Sequence, residues 1–325
     1  GAILEPLWSD FRGPRRPKPT PRVKRTSLRR LGGCGLRCTT AASLSRNSRA
    51  KSAPRATQEA EKASKRDSCL EAALREAATT DDDFLTEVAS HLIPAGGKRL
   101  RPAFVIAAAL SLDPTGDRPE SLSDEMVRGG GAVELVHLGS LYHDDVMDEA
   151  EMRRTVPSVN AIWGNLTAIL AGDFLLARAS GIAASLGTEV AELLAGTIGE
   201  LCEGQILELQ STFKLDRNES SYERSISGKT ASLLATACRI GGLTADLSRD
   251  NIDILTSFGH SYGMAFQIVD DILDLVSTDE QLGKPSGNDL MEGVYTLPVI
   301  FAFASNNGEE LKFFKNFFWI NLIFS

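Results

Sequence analysis

Residues 132–148 read AVELVHLGSLYHDDVMD, and residues 264–276 read MAFQIVDDILDLV. In both stretches apolar residues fill most positions, and the polar residues recur at intervals of three and four. This period is typical of an α-helix, whereas a half-buried strand would alternate strictly between polar and apolar residues. The two stretches therefore predict long helices that are buried over most of their surface.

Each predicted helix carries three aspartates with the same spacing. The two clusters are Asp144, Asp145 and Asp148, and Asp270, Asp271 and Asp274. Helical residues four apart lie on one face, about 5–6 Å from each other, so the outer aspartates of a cluster can reach one cation. Mg²⁺ is commonly held by one or two carboxylates together with substrate phosphate oxygens. A solvated helix face is the alternative interpretation, but buried carboxylates without a cation would be costly, and we therefore expect a cleft that binds a diphosphate through Mg²⁺.

Basic residues that suit an anion lie in two further stretches. Residues 95–102 read AGGKRLRP, a glycine turn that leads into a helix opened by proline. The backbone amides at such a helix start, together with Lys98 and Arg101, would favour a bound anion. Arg153 and Arg154 follow the first aspartate cluster closely enough to contact the same phosphate groups. These positions predict positive charge that can contact a diphosphate bound at the aspartates.

The rest of the chain also predicts helices. The apolar runs at 166–186 and 252–276 exceed the usual length of a strand, and alternating patterns are scarce. About 250 residues are enough to form one large core. We therefore expect an all-α fold built as a single helical domain.

Taken together and in this order, the motifs resemble the trans-isoprenyl diphosphate synthases of the polyprenyl or geranylgeranyl type. The resemblance covers residues 96–303, and it is carried by GGKRLRP at 96–102, HLGSLYHDDVMD at 137–148, RR at 153–154, GKT at 228–230, FQIVDDILD at 266–274 and GKP at 283–285. One aspartate cluster alone would be a weak signal, but this many ordered motifs are specific. The resemblance implies the isoprenoid-synthase helical bundle with a central substrate cavity.

This resemblance implies a prenyltransferase that ionises an allylic prenyl diphosphate with Mg²⁺ and joins the resulting cation to isopentenyl diphosphate. The implied metal site consists of Asp144, Asp148 and Asp270, supported by Asp145, Asp271 and Asp274. Positive charge on the allylic diphosphate would come from Arg153, Lys229 and Lys284. Of these residues, the ones expected to be catalytic are Asp144, Asp148, Asp270, Arg153 and Lys229.

The remaining implied roles concern the second substrate and the reacting cation. Isopentenyl diphosphate would be bound by Lys98, Arg101, His137 and Arg154. Thr230 and Gln267 would border the allylic cation. The growing chain would run past Ser140 and Gly139, four and five residues before the first aspartate. Because both are small, we expect a product longer than farnesyl, although Gly139 could instead serve only to let two helices pack closely.

Three alternatives use similar residues. A class I terpene cyclase also ionises an allylic diphosphate at an aspartate-rich helix, but it needs no second diphosphate pocket such as Lys98, Arg101 and Arg154 predict. A noncatalytic subunit of a heteromeric synthase would usually lack aspartates in one cluster, and both clusters are complete here. An inactive truncated copy is the third alternative.

Charge and composition predict three segments. Residues 11–58 hold fourteen Lys or Arg and no Asp or Glu, so residues 1–66 are predicted to be a basic, disordered extension, either an organellar transit peptide, a basic arm or a stretch foreign to the natural chain. Residues 67–311 are predicted to form the synthase domain. Residues 312–325 form an atypical aromatic tail, and we expect it to stand in place of the last helices of the family.

Partners and location follow from the same observations. Charge or glycine interrupts each apolar run within the roughly 20 residues that a membrane span requires. We therefore expect no transmembrane segment, with peripheral membrane contact through the lipid-like product, and no nucleic-acid partner. The resemblance implies a homodimer. A cytoplasmic location is expected, or a plastid or mitochondrion if the extension is a transit peptide.

Overall fold

Helices dominate the parts of the chain that the computed structural model describes, which are residues 69–111, 122–277 and 287–304. In chain order the helices are α1 (69–78), α2 (Asp83–Ser90), α3 (Leu100–Leu110), α4 (Asp124–Met147), α5 (Val159–Trp163), α6 (Asn165–Ser185), α7 (Thr188–Ser211), α8 (Glu219–Ile226), α9 (Ser232–Thr244), α10 (Arg249–Val276), α11 (Asn288–Met291) and α12 (Leu297–Ala304). A π-helical turn, Ser227–Ala231, joins α8 to α9. The prediction of an all-α fold is confirmed.

Side-chain caps mark the starts of the two helices that carry the aspartate clusters. The hydroxyl of Ser123 accepts a hydrogen bond from the Met126 amide at the start of α4. Ser248 does the same for the Asn251 amide at the start of α10. Such caps satisfy amides that have no partner within the helix, and each contributes about 1 kcal/mol.

The core lies around α4 and α9. All side chains of α4 from Gly129 to Val136 are buried, and so are those of α9 from Ser232 to Cys238. Helix α4 packs along α6, while α9 packs against α3, α7 and α10. Full burial of a leucine such as Leu138 contributes about 1.5–3 kcal/mol. These two buried helices therefore fix where the surrounding helices, and the site they carry, can lie.

A short hairpin follows the first aspartate cluster. Strand β1 (Met152–Arg153) pairs antiparallel with β2 (Val156–Pro157). The two residues between them, Arg154 and Thr155, have φ of 50° and 67°. Positive φ at both central residues is the geometry of the tight turns that match strand twist. The hairpin therefore turns Arg153 and Arg154 back towards the end of α4.

Among the described helices, only α6 is long and apolar enough to cross a bilayer. A third of its most apolar window is buried in the fold, and the helix carries Asp173 and Arg178. Length and composition alone do not separate a membrane span from a core helix, and α6 packs along α4 as a core helix does.

Several sequence predictions fall outside the described residues. These are the basic extension at 1–66, the aromatic tail at 312–325 and Lys284. The segment boundaries and the role of Lys284 therefore stay predictions.

Candidate active site

The first aspartate cluster lies at the C-terminal end of α4, and its three carboxylates have different surroundings. Asp145 is fully buried, and its Oδ1 accepts from Arg153 Nη2 at 2.5 Å and from Arg153 Nε at 2.7 Å. Asp144 is half-buried, and Asp148 is exposed. Because residues one apart on a helix point about 100° apart, Asp145 turns into the fold while Asp144 and Asp148 share the outer face.

Burial and crowding of charge oppose ionisation of this pair. Burial raises the pKa of Asp144, although Lys229 and Arg153 partly offset that effect. Although the Asp148 side chain as a whole is exposed, partial burial of its carboxyl group and then the neighbouring Asp144 raise its pKa to about 6. Two carboxylates this close, each destabilised as an anion, are a suitable place for a cation.

Lys229 approaches this pair from the π-helical turn between α8 and α9. Its Nζ lies 2.5 Å from Oε1 of Glu208 on α7. Burial alone would lower the pKa of Lys229, but the charges of Glu208, Asp144 and Asp148 raise it above its ordinary value. Lys229 is therefore a firmly protonated cation beside the first cluster.

The second cluster is built into a chain of hydrogen bonds. The Tyr222 hydroxyl donates to Asp271 Oδ2 at 2.6 Å, and Gln267 Nε2 donates to Asp271 Oδ1 at 2.8 Å. Thr230 donates in turn to Gln267 Oε1 at 2.7 Å. Burial raises the pKa of Asp271, and the two donors partly offset that effect. Both oxygens of Asp271 are thus already occupied by protein donors.

The outer residues of the second cluster differ from each other. Asp270 is exposed on α10. Asp274 is buried, and its Oδ2 accepts from the Asp289 amide at the start of α11 at 3.3 Å. Asp270 is therefore the aspartate of this cluster that is open to a ligand from solution.

Glu208 connects the two clusters. Its negative charge acts on Asp144 of the first cluster and on Asp271 of the second. The structure thus brings together Asp144, Asp148, Arg153, Lys229 and Glu208, and Asp271 is also close enough for the charge of Glu208 to act on it.

The second group of predicted site residues forms a pocket of positive charge. Arg101, His137 and Arg154 are half-buried next to one another. Burial, and then Arg101, Arg154 and Arg153, hold the pKa of His137 well below its ordinary value. His137 is therefore neutral near pH 7. Nε of Arg101 has no hydrogen-bond partner among the described residues, as expected where an anion would bind.

Lys98 and Arg99, the other two basic residues of the turn at 95–102, do not join Arg101 in the buried part of this pocket. Lys98 is exposed. Arg99, which has φ of 43°, points away from the pocket and donates to Glu71 at 2.7 Å and to Glu134 at 2.8 Å. The Arg99 guanidinium therefore fastens the turn to α1 and α4 and is not available to an anion.

Gly97 makes room for Arg154. Its φ is 135°, and a Cβ placed there would lie 2.9 Å from the guanidinium carbon of Arg154. Nη1 of Arg154 donates to the Gly96 carbonyl. The glycine pair thus lets the arginine lie directly against the turn.

The predicted chain-length residues lie where α4 meets α6. A Cβ on Gly139 would be 3.0 Å from the Gly172 carbonyl oxygen and 3.2 Å from Cγ of Leu176. Gly139 therefore serves the close packing of the two helices. Ser140 is half-buried, and its hydroxyl donates to the His137 carbonyl at 2.9 Å. A role of either residue in product length stays a prediction.

Three residues near the clusters were missed by the sequence reasoning. Glu208, Arg217 and Tyr222 belong to no motif, and each resembles ordinary surface residues nearby in the sequence. Only burial separates them, because Tyr222 is 1% exposed and Arg217 is 8% exposed. The apolar neighbours of Tyr222, such as Ile226 and Ile300, explain why it faces inward.

The carboxylates of the first cluster fit a divalent cation. Within the described residues, no group of three or more His, Cys, Asp or Glu is placed to hold a metal ion by itself. Asp144 and Asp148 form a pair of hard oxygen donors with raised pKa values. Mg²⁺ commonly needs only one or two carboxylates when phosphate oxygens and water complete its coordination.

A comparison with protein families matches residues 82–319 to the polyprenyl synthetase model. Among curated proteins, the chain is 42% identical over 236 residues to heptaprenyl diphosphate synthase component 2 of Geobacillus stearothermophilus, which covers 72% of each chain. It is 41% identical over 221 residues to nonaprenyl diphosphate synthase of Mycobacterium tuberculosis, which covers 68% of this chain and 64% of the relative.

The fold also matches solved structures. One is a crystal structure of polyprenyl synthase from Caulobacter crescentus, complexed with calcium and isoprenyl diphosphate. It is 33% identical, with a TM-score of 0.71, and the match covers 79% of this chain and 76% of the other.

Proposed function

Because the chain belongs to the polyprenyl synthetase family, we propose that it condenses isopentenyl diphosphate with an allylic prenyl diphosphate between its two aspartate clusters. The observation that carries this proposal is that Lys229, which pairs with Glu208, lies close enough to Asp144 and Asp148 for their charges to act on it, while Glu208 acts on both Asp144 and Asp271. The basic group of Arg101, His137 and Arg154 lies near enough for the charge of Asp144 to act on Arg101, so positive charge for a second anion lies beside the first cluster.

The predictions of the family and of the enzyme class are confirmed. The chain is a prenyltransferase of the prenyl diphosphate synthase type. Relatives named for heptaprenyl and nonaprenyl products agree with the prediction of a product longer than farnesyl. The roles of individual residues are proposals that rest on the geometry described above.

Asp144, Asp148 and Asp270 would hold a divalent cation, for which we propose Mg²⁺. The bound metal would neutralise charge on the diphosphate leaving group. Asp145 has a different role, because its salt bridge with Arg153 holds that guanidinium next to the cluster. Asp271 and Asp274 are likewise engaged with the protein and support the shape of the second cluster.

Arg153 and Lys229 would contact the allylic diphosphate. Both are cations at the first cluster, where they can stabilise charge that develops as the carbon–oxygen bond breaks. Thr230 and Gln267 would border the allylic cation. Their mutual hydrogen bond, and that of Gln267 to Asp271, orient the amide so that its oxygen lies towards Thr230.

Isopentenyl diphosphate would bind at Arg101, His137 and Arg154, with Lys98 at the exposed edge. The lowered pKa of His137 keeps the ring neutral, so that it can donate one hydrogen bond without adding charge. Loss of a proton from the condensed product would complete one extension. The departing diphosphate is a suitable acceptor for that proton.

A second candidate function is that of one subunit in a two-component synthase. The relative from Geobacillus stearothermophilus is named as component 2 of heptaprenyl diphosphate synthase. Such a subunit would be inactive alone, whereas a homomeric enzyme would not. We propose the homomeric enzyme, as a homodimer that covers the exposed Leu166 and Leu170 on α6. Analytical ultracentrifugation of the purified chain would measure whether it is a monomer or a dimer.

Substitution of the aspartates tests the proposed site. We expect Asp144→Asn and Asp270→Asn each to lower product formation about 10²-fold or more, because each removes charge that acts on the leaving group. Asp253→Asn is the matched control, since Asp253 is exposed on α10, where its carboxylate pairs with Arg239. Circular dichroism should show the same helical signal in all three. Full activity of Asp144→Asn would rule out the proposed metal site.

A further inference from the structure

Arg217 is a buried cation for which the proposed reaction gives no role. It lies between α7 and α8, where its Nη1 donates to the backbone carbonyl of Tyr295 at 2.9 Å. Its guanidinium carbon lies 5.6 Å from the ring centre of Tyr222. These two contacts hold the side chain between α8 and the residues before α12.

The other donors of Arg217 are not used. Nε and Nη2 are buried and have no hydrogen-bond partner among the residues that the structure describes. Leaving donors of a buried charged group unsatisfied is costly, so such a group needs an explanation. Nε and Nη2 of Arg217 are thus two strong hydrogen-bond donors that a nearby acceptor could still engage.

Glu208 is the acceptor that these donors suit. Burial lowers the pKa of Arg217, and Glu208 is the first of the charges that oppose this effect, before Tyr222 and Asp271. Asp271 already accepts hydrogen bonds at both oxygens. Glu208 bonds to Lys229 through Oε1, which leaves its second oxygen as an acceptor.

The ammonium of Lys229 cannot pair fully with Glu208 and with a substrate diphosphate at the same time. While its ammonium lies 2.5 Å from Glu208, much of its charge is neutralised. A diphosphate at Asp144 and Asp148 would draw the ammonium away, since lysine is a point charge on a flexible stem. Glu208 would then be an uncompensated anion between two aspartate clusters, and that would oppose substrate binding.

We infer that Arg217 is the second counter-cation of Glu208, and that it takes over this carboxylate when Lys229 turns to the allylic diphosphate. The inference rests on the proposed function for the identity of the anion. Arg217 is then a positioning residue, because it acts on substrate only through Glu208 and Lys229.

A double-mutant cycle of Arg217→Gln and Glu208→Gln tests the inference. The readout is calorimetric titration with farnesyl thiolodiphosphate, an unreactive allylic analogue, in the presence of Mg²⁺, so no turnover is needed. We expect Arg217→Gln to weaken binding about tenfold when Glu208 is present. When Glu208 is already Gln, the same change should alter binding by less than about twofold, because no carboxylate then needs a second partner.

Two further variants separate this role from general effects. Arg224→Gln on α8 removes an exposed arginine and should leave affinity unchanged. Arg217→Lys keeps the charge and should restore most of the affinity lost in Arg217→Gln. If Arg217→Gln does not fold, Arg217→Met, which also removes the charge but keeps an apolar stem, replaces it in the cycle.

The outcomes are distinct. An equal loss of affinity in both Glu208 backgrounds would show a merely structural role and overturn the inference, as would no loss in either. If the analogue binds the unsubstituted chain but the cycle shows no coupling between Arg217 and Glu208, the inference fails while the proposed function stands. No binding of the analogue to the unsubstituted chain would overturn both.

Discussion

Gly204 of α7 and Gly228 of the π-helical turn meet backbone to backbone. A Cβ on Gly228 would lie 2.6 Å from the Glu200 carbonyl oxygen and 3.0 Å from Cα of Gly204. The contact comes one residue before Lys229 and one helical turn before Glu208. Because neither glycine has a side chain, α7 can approach closely enough for the 2.5 Å contact between Lys229 and Glu208.

Gly204→Ala should disturb this approach. The new methyl group would lie 2.8 Å from the Ser225 carbonyl oxygen, so the helices must move apart, and overpacking of this kind costs about 1–3 kcal/mol. Thermal unfolding should show the loss of stability, and product formation should fall with it because Lys229 moves. Gly199→Ala is the control on the same helix, where a Cβ meets nothing within 4 Å. It should be neutral or stabilise by up to about 1 kcal/mol. Equal effects of the two changes would contradict this account.

Tyr222→Phe should impair turnover more than folding. It removes the donor to buried Asp271, which leaves that carboxylate less satisfied at a cost of about 1–3 kcal/mol. Because Asp271 orients Gln267, we expect a lower kcat with a smaller change in KM for either diphosphate. Tyr142→Phe is the control, since its buried hydroxyl donates to the Val88 and Ala89 carbonyls on α2. The control should lose stability but retain kcat. If Tyr222→Phe retained full kcat, the hydrogen-bond chain would have no part in the reaction.

Asp148→Asn should stabilise the metal-free protein at neutral pH. The pKa of Asp148 is raised from 3.8 in the unfolded chain to about 6 in the fold, so its ionisation costs stability as the pH rises from about 4 to 6. Below about pH 4 the carboxyl is neutral in both states, and the variant should gain nothing. The side chain is exposed, and solvent screening limits the gain at pH 7.5 to less than about 1 kcal/mol. Thermal unfolding in a chelator at pH 4 and 7.5 measures this difference. A variant less stable than the original chain at pH 7.5 would contradict the assigned pKa.

Ser140→Phe should shorten the prenyl product. Ser140 is half-buried, and its hydroxyl donates to the His137 carbonyl of its own helix, so we expect an aromatic ring there to enter the predicted tunnel and to disturb the packing of α4 and α6 less than a ring at Gly139. Gly139→Phe is a less specific test, because even a Cβ at Gly139 meets the Gly172 carbonyl at 3.0 Å. We expect Gly139→Phe to lower the melting temperature strongly. Chromatography of the products measures the chain length, and thermal unfolding measures the loss of stability. An unchanged product from a folded Ser140→Phe variant would exclude the predicted tunnel at this position.

The sequence predicted the helices and the outer aspartates because both depend on local spacing. The helical period around Asp144 is enough to place Asp144 and Asp148 on one face, but the same period around Asp270 could not show that Asp274 is buried while Asp270 is exposed. It could not show that Asp145 is bound to Arg153, or that Asp271 is bound to Tyr222, which lies 49 residues away. Those contacts depend on how helices pack.

The same limit applies to the cations. Three of the four residues at 98–101 are basic, and the sequence does not distinguish between them. Only the fold reveals that Arg99 is hydrogen-bonded to Glu71 and Glu134. The π-helical turn that aims Lys229 at the cleft has no signature in composition either. Within the turn, Gly228 packs against Gly204 of α7, a contact between different elements that local composition cannot reveal.

The most direct test of the central claim is incubation of the purified chain with Mg²⁺, labelled isopentenyl diphosphate and farnesyl diphosphate, followed by chromatography of the extracted products. We predict labelled prenyl diphosphates longer than farnesyl, formed only when the metal and both substrates are present. A folded chain that yields no extended product, alone and at high concentration, would contradict the claim that this chain by itself condenses the two diphosphates.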